Sequence, residues 1–315
     1  MKPAARLALQ QQAPLPVRQG VAPSRVYLPP GHWPSLLHFL VQRFPHVSPA
    51  DLRRRLLAGD IVDGQGCPQA PDSPYVGEQW LWYYREVPDE AVVPFDLRVI
   101  VHDDVLVAVD KPHFLASVPG GAYLRETALT RLRASLGLSH LTPLHRLDRD
   151  TAGALVFCAR PSARGAYQSL FQQRGVQKVY EAVVNVMTDH VFPLTCVLRL
   201  EPVPGRFTVQ VVPGDPNSHT HIECLARWRD ARTGQWRAHL RLQPSTGRKH
   251  QLRAHLAWLG LPIVNDPFYP QLLPARAPDD YTAPLQLLAR RLAFTDPITG
   301  EERVFESSRT LALQP

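Results

Sequence analysis

The apolar residues of this chain keep two different rhythms. Leu36, Leu37, Leu40, Val41 and Phe44 recur at three- and four-residue spacing, which predicts a helix over 34–44. Ser48-Pro49-Ala50-Asp51 then reads as a cap, a proline at the first helical position and an acidic residue behind it, opening a second helix that Gly59 closes. On that helix Leu52 and Leu56 share a face, while Arg53, Arg54 and Arg55 fan around the rest. Short strands are expected at 61–64 and 79–84. Beyond an acidic, proline-bounded stretch at 88–94, read as a linker, a two-residue alternation takes over. It runs over 100–109 around the polar turn His102-Asp103-Asp104 and stops at Asp110-Lys111-Pro112. Further strands are expected at 178–184, through most of 192–225 and at 237–242, with helices at 127–136 and 163–174. Before Arg25 there is no sustained period, so 1–24 reads as a flexible tail.

Composition narrows the field. With 315 residues and 44% hydrophobic content, the chain can bury a substantial core in one to three domains. Lys plus Arg number 35 against 28 for Asp plus Glu, a net charge of +7 that favours an anionic partner. No apolar run approaches the roughly 18 residues that span a bilayer, and the N-terminus lacks a signal-peptide core, so no membrane role is expected. Cys67, Cys158, Cys196 and Cys224 stand far apart, suggesting neither a zinc site nor a disulfide framework and fitting a reducing cytoplasm. His250 and His255 are five residues apart, about 140 degrees around a helix, so they point apart and no metal site is expected. Nor is there a glycine-rich dinucleotide fingerprint or a P-loop, and no cofactor is expected.

The densest chemistry lies at His145-Arg146-Leu147-Asp148-Arg149-Asp150-Thr151-Ala152-Gly153, directly before an apolar run ending at Cys158. There Asp148 sits between Arg146 and Arg149 at the edge of a core, where desolvation and neighbouring positive charge oppose each other. A carboxylate kept ionised in a cleft is a candidate nucleophile or base, and the competing reading is a salt-bridged turn that caps the next strand. A second cluster, Ser245 to Leu256, carries Arg248, Lys249, His250 and Arg253. Ser245 or Thr246 could cap a helix with Leu252, Leu256 and Leu259 buried, and cations crowding its first turn imply an anion there.

The nine-residue string resembles the signature of the RluA-type RNA pseudouridine synthases, whose catalytic aspartate matches Asp148. Val109-Asp110-Lys111-Pro112, followed by Gly120-Gly121, is similar to the family's strand end and glycine-containing loop. The pattern Lys178-x-Tyr180-x-Ala182 resembles its second motif, whose tyrosine packs on the target base, and Thr246-Gly247-Arg248 through Leu256 resembles its third. In that third motif an arginine pairs with the aspartate, and Arg248 is taken as the match. The likeness covers roughly 99–306, with departures at Ala152, Asn265, Pro270 and Asp296. Two helices with arginines and a small sheet also resemble, more loosely, the ribosomal-type RNA-binding domain often placed ahead of this class.

The resemblance implies an α+β catalytic domain over 95–308, a mixed and largely antiparallel sheet flanked by helices, behind a small N-terminal α/β RNA-binding domain at 25–87. It implies isomerisation of uridine in structured RNA, ribosomal first and transfer RNA second, by a monomer. Asp148, Tyr180 and Arg248 are the expected catalytic residues. Arg146 is expected to fill the space of the flipped base, and His145, Arg149, Lys178, Lys249, His250, Arg253, Arg53 and Arg54 to contact RNA. Two other classes compete: a non-catalytic RNA-binding or ribosome-assembly protein, and a hydrolase using Asp148 and Asp150 as paired carboxylates.

Overall fold

The computed structural model describes residues 13–86, 90–186, 190–313 and 315. The chain divides into two compact units, Met1–Pro88 and Asp89–Pro315.

In the first unit, strand β1 (Ser24–Leu28), helices α1 (Leu36–Arg43) and α2 (Pro49–Leu57), and strands β2 (Ile61–Val62) and β3 (Gln79–Tyr83) form a three-stranded antiparallel sheet, ordered β1-β3-β2, with two helices. Ser48 caps α2 by accepting the Asp51 amide at 3.0 Å, as the sequence leads one to expect. The apolar stripes of the helices, Leu36, Phe39, Leu40, Leu52 and Leu56, bury against Val26, Leu28, Ile61 and Leu81. The arginines do not all face water: Arg55 is buried and donates to the Tyr84 carbonyl. Residues 1–12 of the expected tail lie outside the described residues, but the rest of it is tied down. Val21 is buried, the Tyr84 hydroxyl donates to the Pro16 carbonyl, and Arg18 lies 4.2 Å from the Tyr84 ring centre. A few aromatic contacts suffice to anchor a stretch with no period of its own.

The second unit is built on strands β4 (Arg98–His102), β5 (Leu106–Lys111), β6 (Thr142–Pro143), β7 (Ala152–Cys158), β8 (Gln177–Asn185), β9 (Leu194–Pro202), β10 (Val209–Val212), β11 (Ser218–Arg229), β12 (Trp236–Pro244), β13 (Leu287–Thr295) and β14 (Glu302–Glu306). Its helices are α3 (Ala128–Leu136), α4 (Arg164–Gln172) and α5 (Gln251–Trp258). The strands lie in the order β10-β9-β11-β12-β8-β13-β7-β5-β4, with β14 beside β13 and β6 beside β7. The ladder between β7 and β13 is parallel, in a sheet otherwise antiparallel among the described strands. This is the expected α+β architecture.

Alternation along β5 and β7 explains the layering. Val107, Val109, Leu155 and Phe157 point to α3, while Leu106, Ala108, Ala154, Val156 and Cys158 point to Tyr167 on α4. Strand β7 is therefore buried on both faces along its whole length. Each such Val, Leu or Phe contributes roughly 1.5–3 kcal/mol on burial, and the loop before β7 inherits that rigidity. On β8 and β12, Ala182, Val184, Leu240 and Leu242 pack under Leu252 and Leu256 of α5.

The unit extends past 95–308 at both ends. Of the expected linker, 90–94 is described and is packed: the Glu90 carboxylate takes the amides of Leu124 and Arg125, and Val93 is buried. At the other end Arg309 pairs with Asp110 at 3.3 Å and Leu311 is buried. An acidic stretch between prolines looks like a linker until the amides that donate to it come into view.

Candidate active site

Asp148 lies in the turn that feeds β7, and three groups distant in sequence hold that turn. Lys111, fully buried at the end of β5, donates its three ammonium protons to the carbonyls of Pro112 (2.9 Å), Leu115 (2.7 Å) and Arg149 (3.1 Å). The Ser117 hydroxyl donates to the Leu147 carbonyl at 2.7 Å and accepts the Leu147 amide at 3.0 Å. His113 Nδ1 meets the Asp150 carbonyl at 2.6 Å. The turn leaves through Gly153, whose φ of +117° and near approach to Ala289 both require a glycine: a Cβ there would stand 2.2 Å from the Ala289 carbonyl oxygen.

The guanidinium that meets Asp148 is Arg253, not Arg248. Arg253 Nη1 is 3.3 Å from Asp148 Oδ2, and its Nε and Nη2 clasp the two oxygens of Asp266 at 2.8 and 2.6 Å. Burial alone would lower the Arg253 pKa, but the bonds and charge of Asp266, with Asp148 behind, raise it above the ordinary arginine value. Arg248 is exposed, and its Nε donates to the Asn217 carbonyl at 3.2 Å. The reason is where α5 begins. Thr246, expected as a cap, instead donates to Gln251 Oε1 at 2.7 Å and accepts the His219 amide at 2.9 Å. The helix starts only after His250, which adopts the left-handed conformation at φ +51° and makes no side-chain cap. Arg253 thereby falls in the first turn and Arg248 in the loop.

Two further groups face Asp148. Tyr180, on β8 and half-buried, lines the same cleft; burial and then the Asp148 charge push its phenol above the usual tyrosine range. His250 is buried, its Nε2 lies 3.9 Å from Asp148 Oδ2, and its Nδ1 lies 3.1 Å from the Tyr269 hydroxyl. Burial lowers its pKa to about 4, so the ring is neutral at physiological pH. The cleft that these side chains share has a volume of about 1110 Å³.

The expected RNA-contacting residues divide. Arg146 and Lys249 are exposed on the cleft wall; Arg146 makes no ion pair or hydrogen bond among the described residues, and Lys249 Nζ lies 3.6 Å from the centre of the Phe207 ring. Lys178 also lines the cleft, with burial lowering its pKa. Arg149 is committed to Asp150 at 3.1 Å. His145 is a scaffold group: its Nε2 accepts the Val156 amide at 3.2 Å, its ring stacks on Phe171, and burial lowers its pKa to about 3. Arg253 and His250 are buried within the site, where neither reaches a phosphate on the surface. In the first unit, Arg54 is bound to Glu86 at 3.0 Å and Arg53 is exposed without a partner among the described residues. The pairing of Asp150 with Arg149 works against a two-carboxylate hydrolase, because it occupies the second acid.

Sequence reasoning overlooked Asp266 and Ser117 and read Lys111 only as a strand end. The available signal was a lysine closing the apolar run Leu106 to Val109 directly before a proline, where a charge carried into a core needs partners. Of the departures, Asn265 adopts φ +65°, where asparagine can stand in for glycine, and Asp296 accepts the Tyr167 hydroxyl at 2.7 Å.

Residues 105–258 match the family model described as RNA pseudouridylate synthase. The dual-specificity RNA pseudouridine synthase RluA of Haemophilus influenzae is 34% identical over 218 residues, covering 67% of this chain and 92% of that protein. Ribosomal large subunit pseudouridine synthase D of Vibrio cholerae is 26% identical over 293 residues, covering 85% of each. Among solved structures, human RNA pseudouridylate synthase domain containing 1 aligns with a TM-score of 0.55 at 22% identity, over 68% of this chain and 84% of that one, a likeness of fold.

Proposed function

This chain belongs to the RluA-type RNA pseudouridine synthase family, and from that premise we propose that it isomerises specific uridines of structured RNA to pseudouridine, with Asp148 as the catalytic group. The observation that carries the reading is the meeting of Asp148, Arg253 and Tyr180 in one cleft large enough for a nucleotide.

The reaction breaks the bond from uracil N1 to ribose C1′, turns the base and joins C5 to C1′. The C5 hydrogen then leaves and N1 takes up a proton, so nothing is consumed. The target base must first leave its stack, at a cost of a few kcal/mol. Stacking on Tyr180 offsets about 1–3 kcal/mol of that, and Arg146, free on the cleft wall, fills the vacated place. Among the described residues the partners of the Asp148 carboxylate gather on Oδ2, which leaves Oδ1 to act on the sugar. From that position a carboxylate can attack C1′ or remove the C2′ proton. Arg253 keeps it aimed, through a charge-assisted contact that Arg248 does not make. Burial keeps Tyr180 a neutral phenol near neutral pH, which suits it to serve as the stacking surface for the uracil.

Ribosomal RNA is the favoured substrate. The Vibrio relative named for the large ribosomal subunit matches 85% of this chain, more than Asp89–Pro315 alone can supply, so the likeness reaches into the N-terminal unit. That unit would add affinity through residues such as Arg53. We read the enzyme as a cytoplasmic monomer. Mapping pseudouridines in cells with and without this protein identifies the target. RNA tritiated at uracil C5 should then release its label to water with wild type and not with Asp148→Asn. Release by both proteins would assign the chemistry elsewhere, and release by neither would remove the isomerase reading.

A further inference from the structure

His250 is the polar group of the cleft left without a use. Its side chain is wholly buried, its Nε2 has no hydrogen-bond partner, and that atom faces Asp148 Oδ2 across 3.9 Å, too far for a direct bond. The position is built rather than incidental. The ring stacks on Phe268 and meets Phe207 and Tyr269 edge-on. Its backbone holds φ +51°, a conformation that histidine adopts at some cost.

The proton on the ring can be placed from its neighbours. The Tyr269 hydroxyl accepts the Val209 amide at 2.8 Å and has one hydrogen to give, with His250 Nδ1 at 3.1 Å and the Val209 carbonyl at 3.3 Å. A carboxylate facing Nε2 favours the tautomer with the proton on Nε2, so the hydroxyl donates to Nδ1. The site therefore presents an N–H donor beside a carboxylate acceptor. An oxygen about 2.8 Å from each bridges a 3.9 Å gap comfortably, and a group that accepts from one and donates to the other is a hydroxyl.

We propose that His250 and Asp148 Oδ2 together bind the 2′-hydroxyl of the target ribose, so that His250 is the residue by which the site tells ribose from deoxyribose. The inference rests on the isomerase reading, which brings the sugar of the flipped nucleotide to Asp148. It also divides the carboxylate: Oδ2 holds the 2′-oxygen while Oδ1 faces the anomeric carbon. The 2′-hydroxyl is what separates RNA from DNA at a given nucleotide, and this is the place in the cleft where it meets a donor and an acceptor at once.

The test uses the full chain and the RNA located by mapping, synthesised with ribose or 2′-deoxyribose at the target uridine alone. Wild type should convert the ribose form with a kcat/KM about tenfold or more above the deoxy form. His250→Asn tolerates the left-handed backbone and keeps an amide near Tyr269, but does not reach Oδ2; it should convert both substrates alike, at the lower rate. His250→Gln carries its amide nitrogen close to where Nε2 stands and should stay within about threefold of the wild-type ratio. A wild type indifferent to the 2′-group, or an asparagine variant that keeps the wild-type ratio, overturns the proposal. The wild-type ratio and the glutamine variant decide the matter if the asparagine variant does not fold. Failure of wild type on both substrates removes the isomerase reading itself, an outcome separate from equal conversion of both.

Discussion

Arg253 and Asp266 form a closed fork: both carboxylate oxygens of Asp266 accept from one guanidinium, at 2.8 and 2.6 Å, and both side chains are about 1% exposed. The fork fixes the plane of the guanidinium, and its third nitrogen then points at Asp148. The Asp148 carboxylate is thus aimed by a group that is itself aimed, which is how a site gains preorganisation from a fold.

Activity should follow Arg253 and not Arg248. Arg253→Leu is expected to lower kcat on the order of 10²-fold or more while RNA still binds. Arg248→Ala should leave kcat within about threefold and weaken binding mainly at low salt, because an exposed arginine bound to one carbonyl supplies charge to RNA rather than aim to Asp148. Single-turnover rates and filter binding separate the two effects, and the opposite ranking would return the pairing role to Arg248.

Asp266→Asn leaves a buried arginine half-paired. Breaking one side of a buried ion pair costs about 3–5 kcal/mol, so the urea midpoint should fall markedly and kcat should drop together with it. A variant as stable and active as wild type would show that the fork is ornamental.

The elements were legible wherever periodicity and local capping decide structure. Ser48 caps its helix by accepting from Asp51 at 3.0 Å, and β7 is the fully buried strand that its apolar run implies. That Asp148 and Tyr180 line one cleft was legible because each belongs to a compact string whose chemistry is local. What failed was anything settled by a contact across the fold. Which arginine of Arg248-Lys249-His250-Gln251-Leu252-Arg253 meets Asp148 depends on where α5 begins, and that depends on Gln251 turning back to Thr246 and to the His219 carbonyl. Spacing within the segment carries no trace of His219. In the same way the role of Lys111 depends on three carbonyls, the farthest of them that of Arg149.

Gly153 tests the β7–β13 junction. Alanine there meets both objections at once, a φ of +117° and a carbonyl 2.2 Å from the new methyl group. The parallel register of Ala152 with Leu288 cannot open without moving the Asp148 turn. Gly153→Ala should cost about 3 kcal/mol or more and should depress kcat even in the folded fraction. Thermal melting read beside single-turnover rate checks both; a fully active variant would mean that the turn is held from its other side, by Lys111 and Ser117.

Acid should destabilise this protein earlier than carboxylates alone would dictate. Burial holds His250 and His255 at a pKa of about 4 and His145 at about 3, whereas an unfolded histidine titrates near 6.5. Between pH 6.5 and about 4 the unfolded chain therefore binds protons that the folded chain refuses, and stability falls as the pH drops. Each such histidine contributes up to about 1.4 kcal/mol per pH unit within its window. Glu181 acts lower down: burial would raise its pKa, but His239 and Arg290 hold it at about 2, so its stabilisation is lost only between pH 4.5 and 2. Melting temperatures should decline steadily from pH 6.5 to 4.5, before Glu181 is engaged, and His255→Gln should flatten that decline. A level profile over the same range would contradict the buried, neutral histidines.

The N-terminal unit offers a test in which two neighbouring arginines behave differently. Arg53 is exposed and unpaired among the described residues, whereas Arg54 is clasped by Glu86 at 3.0 and 3.2 Å, with Asp51 at 4.0 Å. A cation already neutralised by two acids releases few counterions when it meets a phosphate; a free one releases close to a full ion's worth. Arg53→Ala should therefore reduce the slope of log affinity against log salt by about 0.7–0.9, while Arg54→Ala should change it by much less. Glu86→Gln frees the second arginine and should steepen the slope. Binding titrations from low to moderate salt, with the same RNA and all three variants, read out the ranking directly. Equal slopes throughout would mean that α2 turns away from RNA and that the basic residues of the cleft wall carry the electrostatic share of binding.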